Sequence, residues 1–216
     1  TMITWTWTLR NDKDLSSVIF LKAKIKKEIT NWDIINTVWK DSMAIIEWGD
    51  KSITRLAWNT RVKIQHNFIA DDLSKINISF ELQSWKTWSN VVTIMWDDSY
   101  FNEQVEWVVA AVRWTVFEVN KENDYIRTLD HEVAVTDWSW STQTIWENNM
   151  MSISKFKIED LKKLIDTSWE KVNTSLDNEY TKQLRESFEN ELKQINFLSS
   201  YISDDKKILY MIKSWK

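Results

Sequence analysis

A chain of 216 residues with one glycine, no proline and sixteen tryptophans lacks almost every residue that ordinarily lets a backbone reverse direction. Glycine supplies about 7% of an average globular protein, and because it has no Cβ it occupies φ > 0 at no steric cost. Tryptophan is a poor replacement, since any L-residue at positive φ brings its Cβ against the following carbonyl oxygen. The tryptophans nevertheless stand where turns are expected: Trp32 in Asn31-Trp32-Asp33, Trp85 between Ser84 and Lys86, Trp96 ahead of Asp97-Asp98, and Trp138 and Trp140 in Asp137-Trp138-Ser139-Trp140-Ser141. Asn, Asp and Ser are the usual neighbours of glycine in reverse turns.

These neighbours predict that most of the tryptophans are glycine in the native protein, in a lineage that decodes UGA as glycine. Lysine outnumbers arginine, isoleucine is abundant and proline, whose codons are GC-rich, is missing, all of which fit an AT-rich genome. Glycine is then expected at positions such as 48 and 114. The competing expectation is a tryptophan-rich surface that stacks on sugar rings, which on a strand would place its rings at alternate positions.

The length suits one domain with a smaller appendage and is ample for a buried core. A net charge of −4 with no basic cluster argues against nucleic acid as a partner. Cysteine is absent, which removes disulfides, thiol chemistry and Cys-ligated metal. No apolar run approaches bilayer-spanning length, and the first residues do not read as a signal peptide. Thr1 as first residue suggests a fragment whose upstream leader or membrane anchor is missing.

The pattern divides near residue 150. Upstream, β-branched runs at 18–25, 34–38, 44–47, 53–56, 62–64, 76–82, 91–95, 108–112, 115–119 and 132–135 alternate with turn-like clusters. They predict a mainly β, antiparallel sandwich or roll of about ten short strands over 1–149. Over 150–216 the period lengthens: Leu161, Leu164, Ile165 and Val172 share a helical face, and Leu184, Phe188, Leu192 and Ile195 continue the stripe. Two or three amphipathic helices are predicted there, the second capped by Ser175 or Asp177 and the third by Ser203.

With the turn tryptophans read as glycine, Trp32-Asp33-Ile34-Ile35-Asn36-Thr37 looks like "Gly-Asp-x-Ile-x-Thr" and Asp50-Lys51-Ser52 looks like "Asp-Gly-Ser", two motifs of the FecR domain family, which the β region resembles over about residues 15–147. Leu56-Ala57-Trp58-Asn59-Thr60-Arg61-Val62-Lys63-Ile64 is similar to "Leu-x-x-(Asn/Ser)-Thr-x-Val-x-Ile". Ser84-Trp85-Lys86-Thr87-Trp88 resembles "Ser-Gly-Lys-x-Trp", and Val109-Ala110-Ala111-Val112-Arg113-Trp114-Thr115-Val116-Phe117 resembles "Val-Ala-x-Val-Arg-Gly-Thr-x-Phe". The match puts Trp32, Trp85 and Trp114 on glycine positions and Trp88 on the family's own tryptophan. It departs at Lys51, where the family has glycine, and at Trp58, where proline or glycine is common. The helical segment has no counterpart in these motifs.

Few residues suggest chemistry. Arg113, set among apolar residues, reads as a guanidinium that snorkels or pairs with a carboxylate at a sheet edge rather than as an anion site. Asp50, Ser52 and Asn59 read as turn residues bonding local backbone. His66 and His131 stand in unlike contexts with no third ligand, so both are expected to be exposed. Asp71-Asp72 and Asp97-Asp98 read as loop carboxylates, and the 137–141 segment as a plain turn without the spaced carboxylates of a calcium loop. Trp5-Thr6-Trp7, even as Gly-x-Gly, lacks the strand and helix of a dinucleotide site and reads as a frayed start or a turn.

The resemblance implies a non-enzymatic binding or signalling module outside the cytoplasmic membrane, in a family often held by a single membrane anchor. Its expected partner is another envelope protein or a glycan, with no metal or cofactor. The alternatives are a carbohydrate- or peptidoglycan-binding module using exposed tryptophans, and a structural envelope protein that oligomerises through its helices.

Overall fold

The computed structural model describes residues 6–10, 19–22, 28–38, 40, 42–70, 75–92, 99–112, 114–160 and 162–182. Sixteen strands are found among them: β1 (Thr6–Arg10), β2 (Ile19–Lys22), β3 (Ile34–Asn36), β4 (Ala44–Glu47), β5 (Ile53–Leu56), β6 (Arg61–Ile69), β7 (Ile76–Ser84), β8 (Lys86–Asn90), β9 (Tyr100–Val105), β10 (Val108–Val112), β11 (Val116–Asn120), β12 (Tyr125–Asp130), β13 (Glu132–Asp137), β14 (Thr142–Trp146), β15 (Met150–Ser152) and β16 (Lys157–Ile158). A nine-stranded sheet runs in the order β14-β13-β10-β9-β7-β6-β3-β1-β2 and a seven-stranded sheet in the order β16-β15-β12-β11-β8-β5-β4.

Alternation in the sequence builds the contact between the sheets. Ile76, Ile78, Phe80 and Leu82 on β7 are buried while their neighbours are half-buried, as period-2 side-chain placement requires. The same core holds Leu56, Phe117, Val119 and Ile126 from the seven-stranded sheet and Ile64, Phe101 and Val133 from the other. Phe101 on β9 and Phe117 on β11 meet edge to face with ring centroids 6.5 Å apart, joining the two layers. Trp48, before β5, stacks on Phe80 at 5.6 Å and donates its indole N–H to Thr54 Oγ1 at 3.0 Å. That indole is a packed, hydrogen-bonded core group at a position where glycine was expected. The one glycine, Gly49, lies where a Cβ would come within 2.8 Å of Ile69 Cδ1.

The chain passes repeatedly between sheets, and five of these crossings share one backbone device. Asn59 (β5 to β6), Trp85 (β7 to β8), Trp114 (β10 to β11), His131 (β12 to β13) and Asn148 (β14 to β15) all have positive φ. Five hairpins within the sheets use the same device, at Lys51, Glu106, Asp124, Trp140 and Phe156, and Trp32 does so ahead of β3. A left-handed residue turns the strand sharply at a single position, so β7 leaves one sheet and β8 enters the other with Trp85 alone between them.

Several expectations need correction. Strand pairing is antiparallel except for β7 and β9, which run parallel, because β8 lies in the other sheet and carries the chain back before β9 returns. Among the described residues the strands number sixteen rather than about ten, since β8, β9, β12 and β14 through β16 are short or rich in polar residues and carry weak β signals. Val91 and Val92 continue no strand. Trp7 lies within β1, not in a frayed start. Strands persist to Ile158, beyond the expected limit at 149, because β15 and β16 complete the edge of the seven-stranded sheet.

The compact units divide between Ile165 and Asp166. In the second, a helix over 167–182 begins where Asp166 Oδ1 accepts the N–H groups of Ser168 at 3.1 Å and Trp169 at 3.2 Å, an N-cap in the ordinary sense. It runs through Ser175 and Asp177, so neither caps a helix, and Val172 is exposed. Leu164 sits in a 3₁₀ turn over Lys162–Leu164. The expected stripe from Leu184 to Ile195 and the cap at Ser203 lie outside the described residues.

Candidate functional site

Most of the residues singled out by the family pattern gather at the turns and sheet crossings. Thr37 donates its hydroxyl to the carbonyl of Ala57 and accepts the N–H of Thr60 at 2.8 Å, while Thr60 Oγ1 donates to the carbonyl of Lys86 at 2.9 Å. Three segments distant in sequence are thus tied by two buried hydroxyls. Asp50 accepts the Ser52 N–H at 3.0 Å and hydroxyl at 2.8 Å, and Ser52 Oγ in turn accepts the N–H of Val92 at 3.2 Å. Thr115 exchanges both backbone hydrogen bonds with Val91 and donates its hydroxyl to the carbonyl of Glu132 at 2.9 Å. Asp33 closes its turn by accepting the Thr30 N–H at 2.9 Å, and Trp32 donates its N–H to Ile64 at 2.8 Å. Leu56, Val112 and Phe117 are core residues. Arg113 lies outside the described residues, as do Trp96, Asp71-Asp72 and Asp97-Asp98.

Trp88 marks a second cluster that sequence reasoning missed. Arg55 pairs with Trp88 across β5 and β8, Trp88 with Glu118 across β8 and β11, and Glu118 with Arg127 across β11 and β12. This row lies on the face of the seven-stranded sheet opposite the core between the sheets, and all four side chains are buried. Arg127 Nη1 stands 4.0 Å from Glu118 Oε2. Tyr125 donates its hydroxyl to Glu118 Oε1 at 3.0 Å and accepts Asn120 Nδ2 at 3.3 Å. Burial, with the Glu118 carboxylate beside it, pushes the Tyr125 phenol far above its ordinary range. The available signal was an arginine or glutamate in the middle of a β-branched run, which is unusual unless the charge is paired.

Glu103 is the third buried feature. Its side chain is 0% exposed between the sheets, where Oε1 accepts the Thr87 hydroxyl and Oε2 has no hydrogen-bond partner. Burial pushes its carboxyl up to about 8, against the smaller opposing effect of the Thr87 bond, so at neutral pH it is largely an uncharged acid.

Among the described residues the surface carries polar turns. Asp137 accepts the Ser139 N–H and hydroxyl and the Ser141 N–H, and the Ser139 hydroxyl holds its carboxyl below the usual range. A shallow cleft beside it is lined by Glu106, Trp107, Asp137, Trp138 and Ser139. His66 and His131 are both exposed, as expected; the first bonds Tyr100 Oη at 2.8 Å, and the second lies 3.0 Å from Asp130. Among the described residues no three His, Asp or Glu side chains converge on a metal position, and no helix is long and apolar enough to cross a membrane.

No family model and no curated protein sequence matches the chain. Two crystal structures of a protein described as a "putative anti-sigma factor" from Parabacteroides distasonis are similar to it, at 14% identity with a TM-score of 0.45 and at 13% identity with a TM-score of 0.44. In each case the likeness covers 58% of this chain and 57% of the other.

Proposed function

We propose that the β unit is a non-enzymatic binding or signalling module of the FecR kind, working outside the cytoplasmic membrane on another protein of the cell envelope. One observation carries this reading. The pattern's ordered blocks fall on successive stations of a single architecture, and its glycine positions at 32, 51, 85 and 114 are all left-handed. Backbone φ plays no part in a sequence resemblance, so the coincidence at four positions supports the family reading independently. The polar pattern residues Thr37, Asp50, Ser52, Thr60 and Thr115 are spent on internal hydrogen bonds, which suits a rigid frame whose recognition is performed by its surface.

Location and partner class are tested together in native cells. Protease added to spheroplasts degrades this unit without lysis, and a photo-crosslinker at exposed Phe68 or Thr142 yields a discrete adduct with an envelope protein. Protection until lysis, or no adduct at either position, overturns the reading.

The exposure of Trp138, 73%, in the lining of the cleft favours a second reading, in which its ring stacks on a saccharide. Retardation by soluble glycans in native gels, lost in a W138A variant, would replace the protein-binding reading with this one.

A further inference from the structure

Sixteen of 216 residues are tryptophan, yet four of the eleven left-handed residues are: Trp32 at φ 73°, Trp85 at 66°, Trp114 at 49° and Trp140 at 64°. Asparagine and aspartate, which tolerate this region through local hydrogen bonds, take only three of the eleven. The indoles at these positions are not core groups. Trp32, Trp114 and Trp140 are exposed, Trp32 with Lys63 Nζ 5.5 Å from its ring centroid, and Trp85, whose ring lies 4.6 Å from that of Trp58, buries its indole N–H with no hydrogen-bond partner, an arrangement that costs stability.

Trp48 and Trp88 are the reverse case. They are 2% and 1% exposed, neither has positive φ, and Trp48 is stacked and hydrogen-bonded in the core. Two independent properties, backbone hand and side-chain burial, therefore divide these six tryptophans in the same way. A glycine at 48 or 88 would leave a void the size of an indole, whereas a glycine at 32, 85, 114 or 140 would relieve the backbone.

We propose that positions 32, 85, 114 and 140 are glycine in the native protein, specified by UGA codons that its lineage decodes as glycine, and that positions 48 and 88 are tryptophan specified by UGG. A single reassigned codon accounts for both classes, because UGG keeps its ordinary meaning when UGA changes. The division rests on φ and burial and is independent of what the module binds. It also bears on site searches, since the rings of Trp32, Trp85, Trp114 and Trp140 are then absent from the native surface.

The gene and the native protein test this directly. UGA is expected at the four left-handed positions and UGG at 48 and 88. Tandem mass spectrometry of tryptic peptides from the source organism should find glycine at 85 in peptide 76–86 and at 114 in peptide 114–121, with tryptophan at 48 in peptide 41–51. UGG at any of the four, or tryptophan in either of the first two peptides, overturns the assignment. UGA at 48 or 88 overturns the division.

Discussion

The Thr87 hydroxyl reaches across from the seven-stranded sheet to the Glu103 carboxyl of the nine-stranded sheet and is the hydrogen bond that carboxyl makes among the described residues. The pair places an ionisable group in the core with one oxygen satisfied and one not.

Stability is therefore expected to fall as pH rises. Glu103 titrates at about 8 in the folded protein against 4.5 for an ordinary glutamate, so between these limits the folded state binds more protons than the unfolded one. Its stabilising contribution is complete below about pH 4.5 and is lost progressively up to about pH 8, amounting to on the order of 3 kcal/mol by pH 7. Urea denaturation of the wild type against Glu103→Gln across pH 5–8 measures it. The variant should lose most of the slope, and an unchanged slope would assign it elsewhere.

Removing a crossing hydroxyl should cost more than its one hydrogen bond. Thr60→Val leaves the Lys86 carbonyl without the Oγ1 donor, in a buried position, and should destabilise by about 1–3 kcal/mol. Because Thr37 and Thr60 share a network, a double-mutant cycle with Thr37→Val should be non-additive by about 0.5 kcal/mol or more.

Glu118→Ala should be among the most damaging single changes. It removes the acceptor of the Tyr125 hydroxyl and the carboxylate 4.0 Å from buried Arg127, and breaking a buried pair costs about 3–5 kcal/mol. The midpoint of chemical denaturation reports it, and a loss below about 1 kcal/mol would show the row to be readily hydrated.

Tryptophan replacements should divide by position. Trp48→Ala should cost about 3–5 kcal/mol through the cavity it opens. The expressed chain with glycine at 32, 85, 114 and 140 should instead melt higher, since each non-glycine residue at positive φ costs about 1–2 kcal/mol and each kcal/mol regained raises Tm by roughly 2–4 °C at this size. Thermal unfolding of both variants is the check, and a lower Tm for the fourfold variant would show the indoles to be stabilising.

Much of the local structure was written into the sequence by itself. The runs around Ile34, Ile53, Ile76 and Val108 alternate or concentrate β-branched residues, and these became strands because a pleated, buried surface suits such side chains. The turn formers around Trp32, Trp85 and Trp140 marked left-handed positions, since the demand for a residue without a Cβ is a local property of the backbone, although Trp138, marked in the same way, is not left-handed. Only the tertiary structure decided the parallel pairing of β7 with β9, the buried row from Arg55 to Arg127 and the isolation of Glu103. Each depends on which distant strand arrives alongside. Lys86-Thr87-Trp88-Ser89-Asn90 carries no pattern of burial, yet as the strand between β5 and β11 it is buried on both faces. Burial of a polar residue follows from its neighbours in space, and those are set by loop closures that no short stretch of sequence encodes.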